Sequence, residues 1–182
     1  MQLLAKAPNG GNKQQVEFTL IDDKEKVAVL RRAAYQEMER LAAQGIFPAG
    51  FDRRSYQQMK AWRQTVRPDM LFCGAPHLLI PHAPVESGTP YQDMVVAAAY
   101  FELLCAAKGL GAVMMTFPLE VLRLMPEVAS LLQIPRQHEI PLIVGFGYPQ
   151  IRYARGSQRT LAASRIHRPD IENGMSARSR QF

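Results

Sequence analysis

The segment from Thr89 to Gly109 constrains the fold of this chain more than any other. Thr89 supplies an N-cap, Pro90 a proline at the first helical position and Gln92 a partner at the third, so a helix starts here. It runs to about Lys108, and Gly109 stops it. Its interior, Met94 to Ala107, is apolar nearly all round rather than along one stripe. Such a helix must be covered on several sides, which makes it the central helix of the fold.

The flanking segments read as strands and helices in alternation, without an internal repeat. Val16 to Ile21 is rich in β-formers, and Asp22 with Glu25 three residues later forms a capping box for a helix over 23–43. Val27, Leu30, Ala34, Met38 and Leu41 share one side of it, and Gly45 ends it. Residues 46–68 mix charges, aromatics, Gly and Pro, with a helix over 54–66 through Tyr56, Met59 and Trp62. Ala75 to Ala83, closed by Pro84, suits a buried strand, because prolines bracket the run. Ala112 to Phe117 is a further strand, Pro118 opens a helix to about Leu132, and Ile140 to Gly147 is the last strand.

The chain has 182 residues, 47% of them hydrophobic, which suits one domain with a real core. Twenty-two Lys and Arg against 16 Asp and Glu leave a net charge of +6. Two of those six charges fall in 161–182, a poorly hydrophobic stretch that reads as a flexible basic tail. No nucleic-acid motif accompanies the positive charge, so nucleic acid is not an expected partner. No run approaches the about 20 apolar residues of a membrane helix, and the first residues lack a signal peptide's apolar stretch. A cytoplasmic protein without membrane contact is expected.

Pro8-Asn9-Gly10-Gly11-Asn12 is a turn whose glycines permit positive φ and close backbone approach to a ligand. Asn9, Asn12 and Gln14 add donors and acceptors suited to the carbonyl and ring-nitrogen edge of a planar heterocycle. On its own the segment reads more simply as an ordinary loop joining a first helix to the strand at Val16. Cys73 and Cys105 sit among apolar neighbours and read as reduced core thiols. There is no CxxC, no Cys/His cluster and no His pair at ligand spacing, so no metal site is expected. His77 and His82 beside the apolar strand read as hydrogen-bonded core or edge histidines. Asp93, in the first turn of the central helix, is favoured by the helix dipole. Met114, Met115 and Met125 read as packing residues. No catalytic side chain is assigned.

The order of these segments resembles the nitroreductase family of FMN flavoproteins. Ala7 to Gln14 looks like the family's A-P-S-x-x-N-x-Q turn, Asp93 to Gly111 like its D…A…GLG helix, and Ile140 to Arg159 like its IP…G-Y-P…R ending. The likeness runs from about Leu3 to Arg159. It implies an α+β fold, nitroreductase-like, with a central, mostly antiparallel sheet flanked by helices and built as an intertwined homodimer with FMN at the subunit interface. The implied domain spans 1–160. Pro8, Asn9, Gly10, Asn12 and Gln14 would face the flavin from one subunit, and Met115, Thr116 and Phe117 from the other. Arg155 and Arg159 would hold the phosphate, for which a bidentate guanidinium is suited. Members usually begin further upstream with an Arg-x-Ser-x-Arg segment, so the domain reads as amino-terminally truncated. Thr116-Phe117 also stands where some members carry an acid and a glycine.

The implied activity is FMN-dependent reduction of nitroaromatic, quinone or similar electron-poor acceptors, with NADH or NADPH as donor. Such chemistry resides in the flavin and calls for no catalytic triad. The alternative is a degenerate member of the fold that dimerises or binds a small molecule without redox turnover.

Overall fold

The computed structural model describes residues 3–66 and 69–151. Residues 1–149 form one compact unit; of the second, 150–182, only 150 and 151 are among the described residues. In chain order the first unit carries β1 (Glu17–Ile21), α1 (Lys24–Ala43), α2 (Arg53–Thr65), β2 (His77–Pro84), α3 (Pro90–Ala107), β3 (Gly111–Met115), α4 (Phe117–Arg123), α5 (Pro126–Ser130), β4 (His138–Glu139) and β5 (Ile143–Gly147). The sheet runs β1-β2-β5-β3, with β4 beside the end of β2, and every pairing is antiparallel. This is the α+β architecture expected from the sequence.

Alternation along the strands sorts the core into two layers. Leu78 and Ile80 of β2, Ile143 of β5 and Met115 of β3 point to one face, where they pack with Val27, Leu30, Ala34 and Met38 of α1 and with α4. Leu79, Val144, Ala112 and Met114 point to the other face and meet Ala98, Phe101 and Cys105 of α3. With both faces covered, Leu78, Leu79 and Ile80 have no exposed surface, which is why β2 reads as a continuous apolar run.

Several boundaries differ from the sequence expectation. The N-cap of α1 is Asp23, not Asp22, and its carboxylate accepts from the Glu25 N–H at 2.8 Å. No capping box forms at Thr89, because its hydroxyl donates to Asp93 and accepts no backbone N–H of the first turn. The single helix expected over 118–132 is two: Pro126 lacks the N–H needed to continue, so α4 ends at Arg123 and a new turn begins. Most informative is α3, which buries Met94, Ala97, Ala98, Phe101 and Cys105 yet leaves Leu103 68% and Tyr100 38% exposed. Among the described residues the central helix is covered on one side only.

The loop before β2 had no sequence signature, yet it is tightly built. The Asp69 carboxylate, 4% exposed, accepts from Arg31 Nε at 2.7 Å, the Tyr35 hydroxyl at 3.2 Å and the N–H groups of Leu71, Phe72 and Gly74 at 3.0–3.1 Å. Burial, and then the charge of Asp69, push the Tyr35 hydroxyl above its usual pKa, so it stays a donor. The tight bend places Cys73 at φ 54° and turns its side chain outward, so Cys73 is an exposed thiol rather than a core one. Cys105 is buried as expected, and both are free.

Candidate flavin-binding turn

Pro8 to Gln14 wraps over the start of α3 and is held from both ends. The Gly10 N–H donates to Asp93 Oδ1 at 2.8 Å, and Thr89 Oγ1 donates to the other Asp93 oxygen at 3.2 Å. At the far end Asn9 Oδ1 accepts from the Gln14 N–H at 3.0 Å, and Asn12 Oδ1 accepts from Gln14 Nε2 at 3.2 Å. The backbone passes so close to α3 that a Cβ at Gly10 would stand 2.0 Å from Thr89 Oγ1, so only glycine fits.

Strain accumulates in the same few residues. Gly11 lies at φ 60°, and Asn12 and Gln14 follow at 54° and 51°. Left-handed conformation costs a residue with a Cβ about 1–2 kcal/mol, and it persists where the surroundings enforce it. Here the Asn9 and Asp93 hydrogen bonds enforce it, and the side chains of Asn12 and Gln14 are left exposed. Beside the turn lies a cavity of about 330 Å³, bordered by Leu4, Pro8, Asn9, Gln14, Phe18 and Ala97 among others. An apolar floor with an amide rim is suited to a planar aromatic ligand.

Of the expected site residues, Pro8, Asn9, Gly10, Asn12 and Gln14 are therefore brought together, and Pro8, Asn9 and Gln14 border the cavity. Met115, Thr116 and Phe117 lie at the end of β3 and do not border it. Met115 is buried in the α1-side layer, Thr116 is exposed as the N-cap of α4, and Phe117 packs on Phe51 with ring centres 5.2 Å apart. Arg155 and Arg159 lie outside the described residues. Asp93 does more than its dipole position implies: as well as sitting favourably in the first turn of α3, it anchors the turn. A bond across 83 residues leaves no local pattern in the sequence.

The histidines flank the sheet on opposite faces. His77 packs on Phe146 with ring centres 5.3 Å apart, and its buried Nδ1 has no hydrogen-bond partner among the described residues. His82 is 3% exposed; its Nε2 lies 3.1 Å from Thr19 Oγ1 and its Nδ1 2.8 Å from Nδ1 of His138. Burial, reinforced by His138, holds His82 below its ordinary pKa and keeps the ring neutral.

The family model described as "Nitroreductase family" matches residues 1–148. No curated protein sequence matches the chain. Among solved structures, a Bacteroides fragilis nitroreductase with bound FMN superposes with a TM-score of 0.66 at 19% identity, covering 93% of this chain and 83% of that one. A Desulfitobacterium hafniense nitroreductase with bound FMN gives 0.65 at 17% identity over the same shares, 93% and 83%. Iodotyrosine deiodinase bound to FMN and 3-iodo-L-tyrosine gives 0.60 at 20% identity, over 89% and 82%. At these identities the likeness establishes the fold. Among the described residues no helix is long and apolar enough to cross a membrane.

Proposed function

The chain belongs to the nitroreductase family, and on that premise we propose that it is an FMN-dependent NAD(P)H oxidoreductase acting on nitroaromatics, quinones or similarly electron-poor acceptors. The observation that carries this reading is the Pro8–Gln14 turn, a strained backbone fixed by Asp93 beside an apolar cavity with the amides of Asn9 and Gln14 on its rim. Bound FMN supplies reversible two-electron chemistry, and the chain supplies the site. Asn9, Asn12 and Gln14 offer donors and acceptors to the polar edge of a flavin ring, Pro8 offers an apolar surface, and Gly10 lets the turn lie flat against α3. Because Asp93 and Asn9 hold the turn before any ligand arrives, little reorganisation opposes binding.

A second copy of the chain completes the site. The exposed Tyr100 and Leu103 on the outer side of α3 support that pairing, since a large apolar surface on a central helix calls for a cover. Met115, Thr116 and Phe117, which do not border the cavity within one chain, are assigned to the partner's site across the interface. Arg155 and Arg159 are assigned to the phosphate.

The test is direct. The full chain is saturated with FMN, desalted and its visible spectrum recorded; retained flavin, bleached anaerobically by NADH or NADPH and restored by a quinone, is the expected result. A colourless protein overturns the proposal, and bound flavin that no nicotinamide bleaches points to binding without turnover. Arg159→Ala weakens retention if the phosphate assignment is correct.

A further inference from the structure

We propose that Glu17, His82 and His138 form a binding site for a borderline divalent cation such as Zn²⁺. Sequence spacing hides this trio, because 56 residues separate the two histidines, but strand register assembles it. Glu17 of β1 stands directly opposite His82 of β2. His138 of β4 stands opposite Pro84, two residues further along β2. Residues opposite one another, or two apart on a strand, share a face, so three adjacent strands each present one ligand to the α1-side face.

The atoms are at ligand spacing. One donor from each of the three residues lies within 4.8 Å of the other two, and the histidine Nδ1 atoms are 2.8 Å apart. Zinc takes imidazole nitrogen and carboxylate oxygen at about 2.0–2.2 Å, so the ring nitrogens need open by only about half an ångström. His138 can provide that movement because it is half-buried on a two-residue strand, and Glu17 because its side chain is exposed. His82 is the fixed member, buried beside the closed core of β2. With its Nε2–H donated to the Thr19 hydroxyl 3.1 Å away, its Nδ1 lone pair faces the site, the outer-shell arrangement that orients histidine ligands. The His138 ring offers its Nδ1 to the ion in the tautomer that carries the proton on Nε2.

Two imidazoles and one carboxylate leave a fourth position open to water. His138 also borders a cavity of about 910 Å³ shared with Leu119, Leu122, Arg123 and Ile140, which gives the ion an entry path. This site lies on the α1-side face, whereas Phe18 and Ala97 of the flavin cavity pack on the α3 side, and the proposal is independent of the flavin reading.

The untagged full chain, stripped with a chelator, is titrated with Zn²⁺ by calorimetry and with Co²⁺ by absorption spectroscopy. One ion per chain is expected, with intense visible bands for Co²⁺ in a site of low coordination number and a higher Tm in the presence of Zn²⁺. His138→Ala and Glu17→Gln, both at sites with exposed surface, weaken binding by at least about tenfold, while His77→Asn on the opposite face leaves it unchanged. Absence of stoichiometric binding to the wild-type chain overturns the proposal. So does binding that survives both ligand substitutions, or that is lost equally in His77→Asn.

Discussion

Two carboxylates on opposite faces of the sheet hold loops, and they do so in contrasting ways. Asp69, on the α1 side, is almost wholly buried and gathers Arg31, Tyr35 and three backbone N–H groups. Asp93, on the α3 side, is half-buried and holds one backbone N–H and one hydroxyl. The first seals a loop into a finished core. The second pins a strained turn beside an open cavity, on a helix whose outer surface is still exposed. Among the described residues the α1 side of the sheet packs under α1 and α4, whereas α3 keeps an exposed outer surface, and the proposed flavin site and second copy both fall on that α3 side.

The largest expected effect follows from Asp69. Asp69→Ala removes the acceptor of Arg31 Nε and of the Phe72 and Gly74 N–H groups, while Arg31 keeps the Ala75 carbonyl and Leu71 keeps the Tyr35 hydroxyl. At about 1–3 kcal/mol per buried group left unpaired, a loss of about 3 kcal/mol or more is expected. Urea unfolding followed by circular dichroism measures it; a loss below about 1 kcal/mol would show that the loop is not sealed by this group. Asp93→Ala is expected to cost less, about 1–2 kcal/mol for a part-buried N–H left unpaired, but to weaken FMN retention clearly. Asp93→Asn keeps an oxygen for the Gly10 N–H and should restore most of both. Equal stability losses at Asp69 and Asp93 would erase the contrast between the faces.

Helices and strands were largely legible because period, caps and glycine stops act locally. Errors arose where a distant contact or a single proline decided the outcome. Pro126 breaks the helix the apolar pattern would have continued, and the Thr89 hydroxyl turns to Asp93 instead of capping α3. The all-round apolarity of α3 implied cover on several sides, whereas the described residues cover one side and leave Tyr100 and Leu103 exposed. The Pro8 turn was legible through its glycines and amides, whereas its anchor at Asp93 was not, because that bond joins residues far apart in sequence. The Asp69 hub and the cluster of Glu17, His82 and His138 were invisible for the same reason.

Leu103 sharpens the comparison further. At 68% exposure Leu103 packs little within the chain, so Leu103→Glu should move the stability of the isolated chain by no more than about 0.5 kcal/mol. The same change places a charge in the surface assigned to the second copy, so sedimentation should shift from dimer to monomer. A dimer that persists would place the interface elsewhere.

The smallest perturbation uses the two thiols as reporters of the two faces. Cys73 is turned outward by the Asp69 bend, while Cys105, on the buried side of α3, is 3% exposed. Burial, and then the charge of Glu102, raise the pKa of Cys105, so it stays protonated and poorly nucleophilic. A chromogenic disulfide reagent at mildly alkaline pH should therefore consume one thiol quickly, with the second reacting only on unfolding. Cys73→Ser should abolish the fast phase without altering the slow one. If Cys105 reacts fast in the folded protein, the α3 layer opens on the timescale of the assay and is looser than its packing implies.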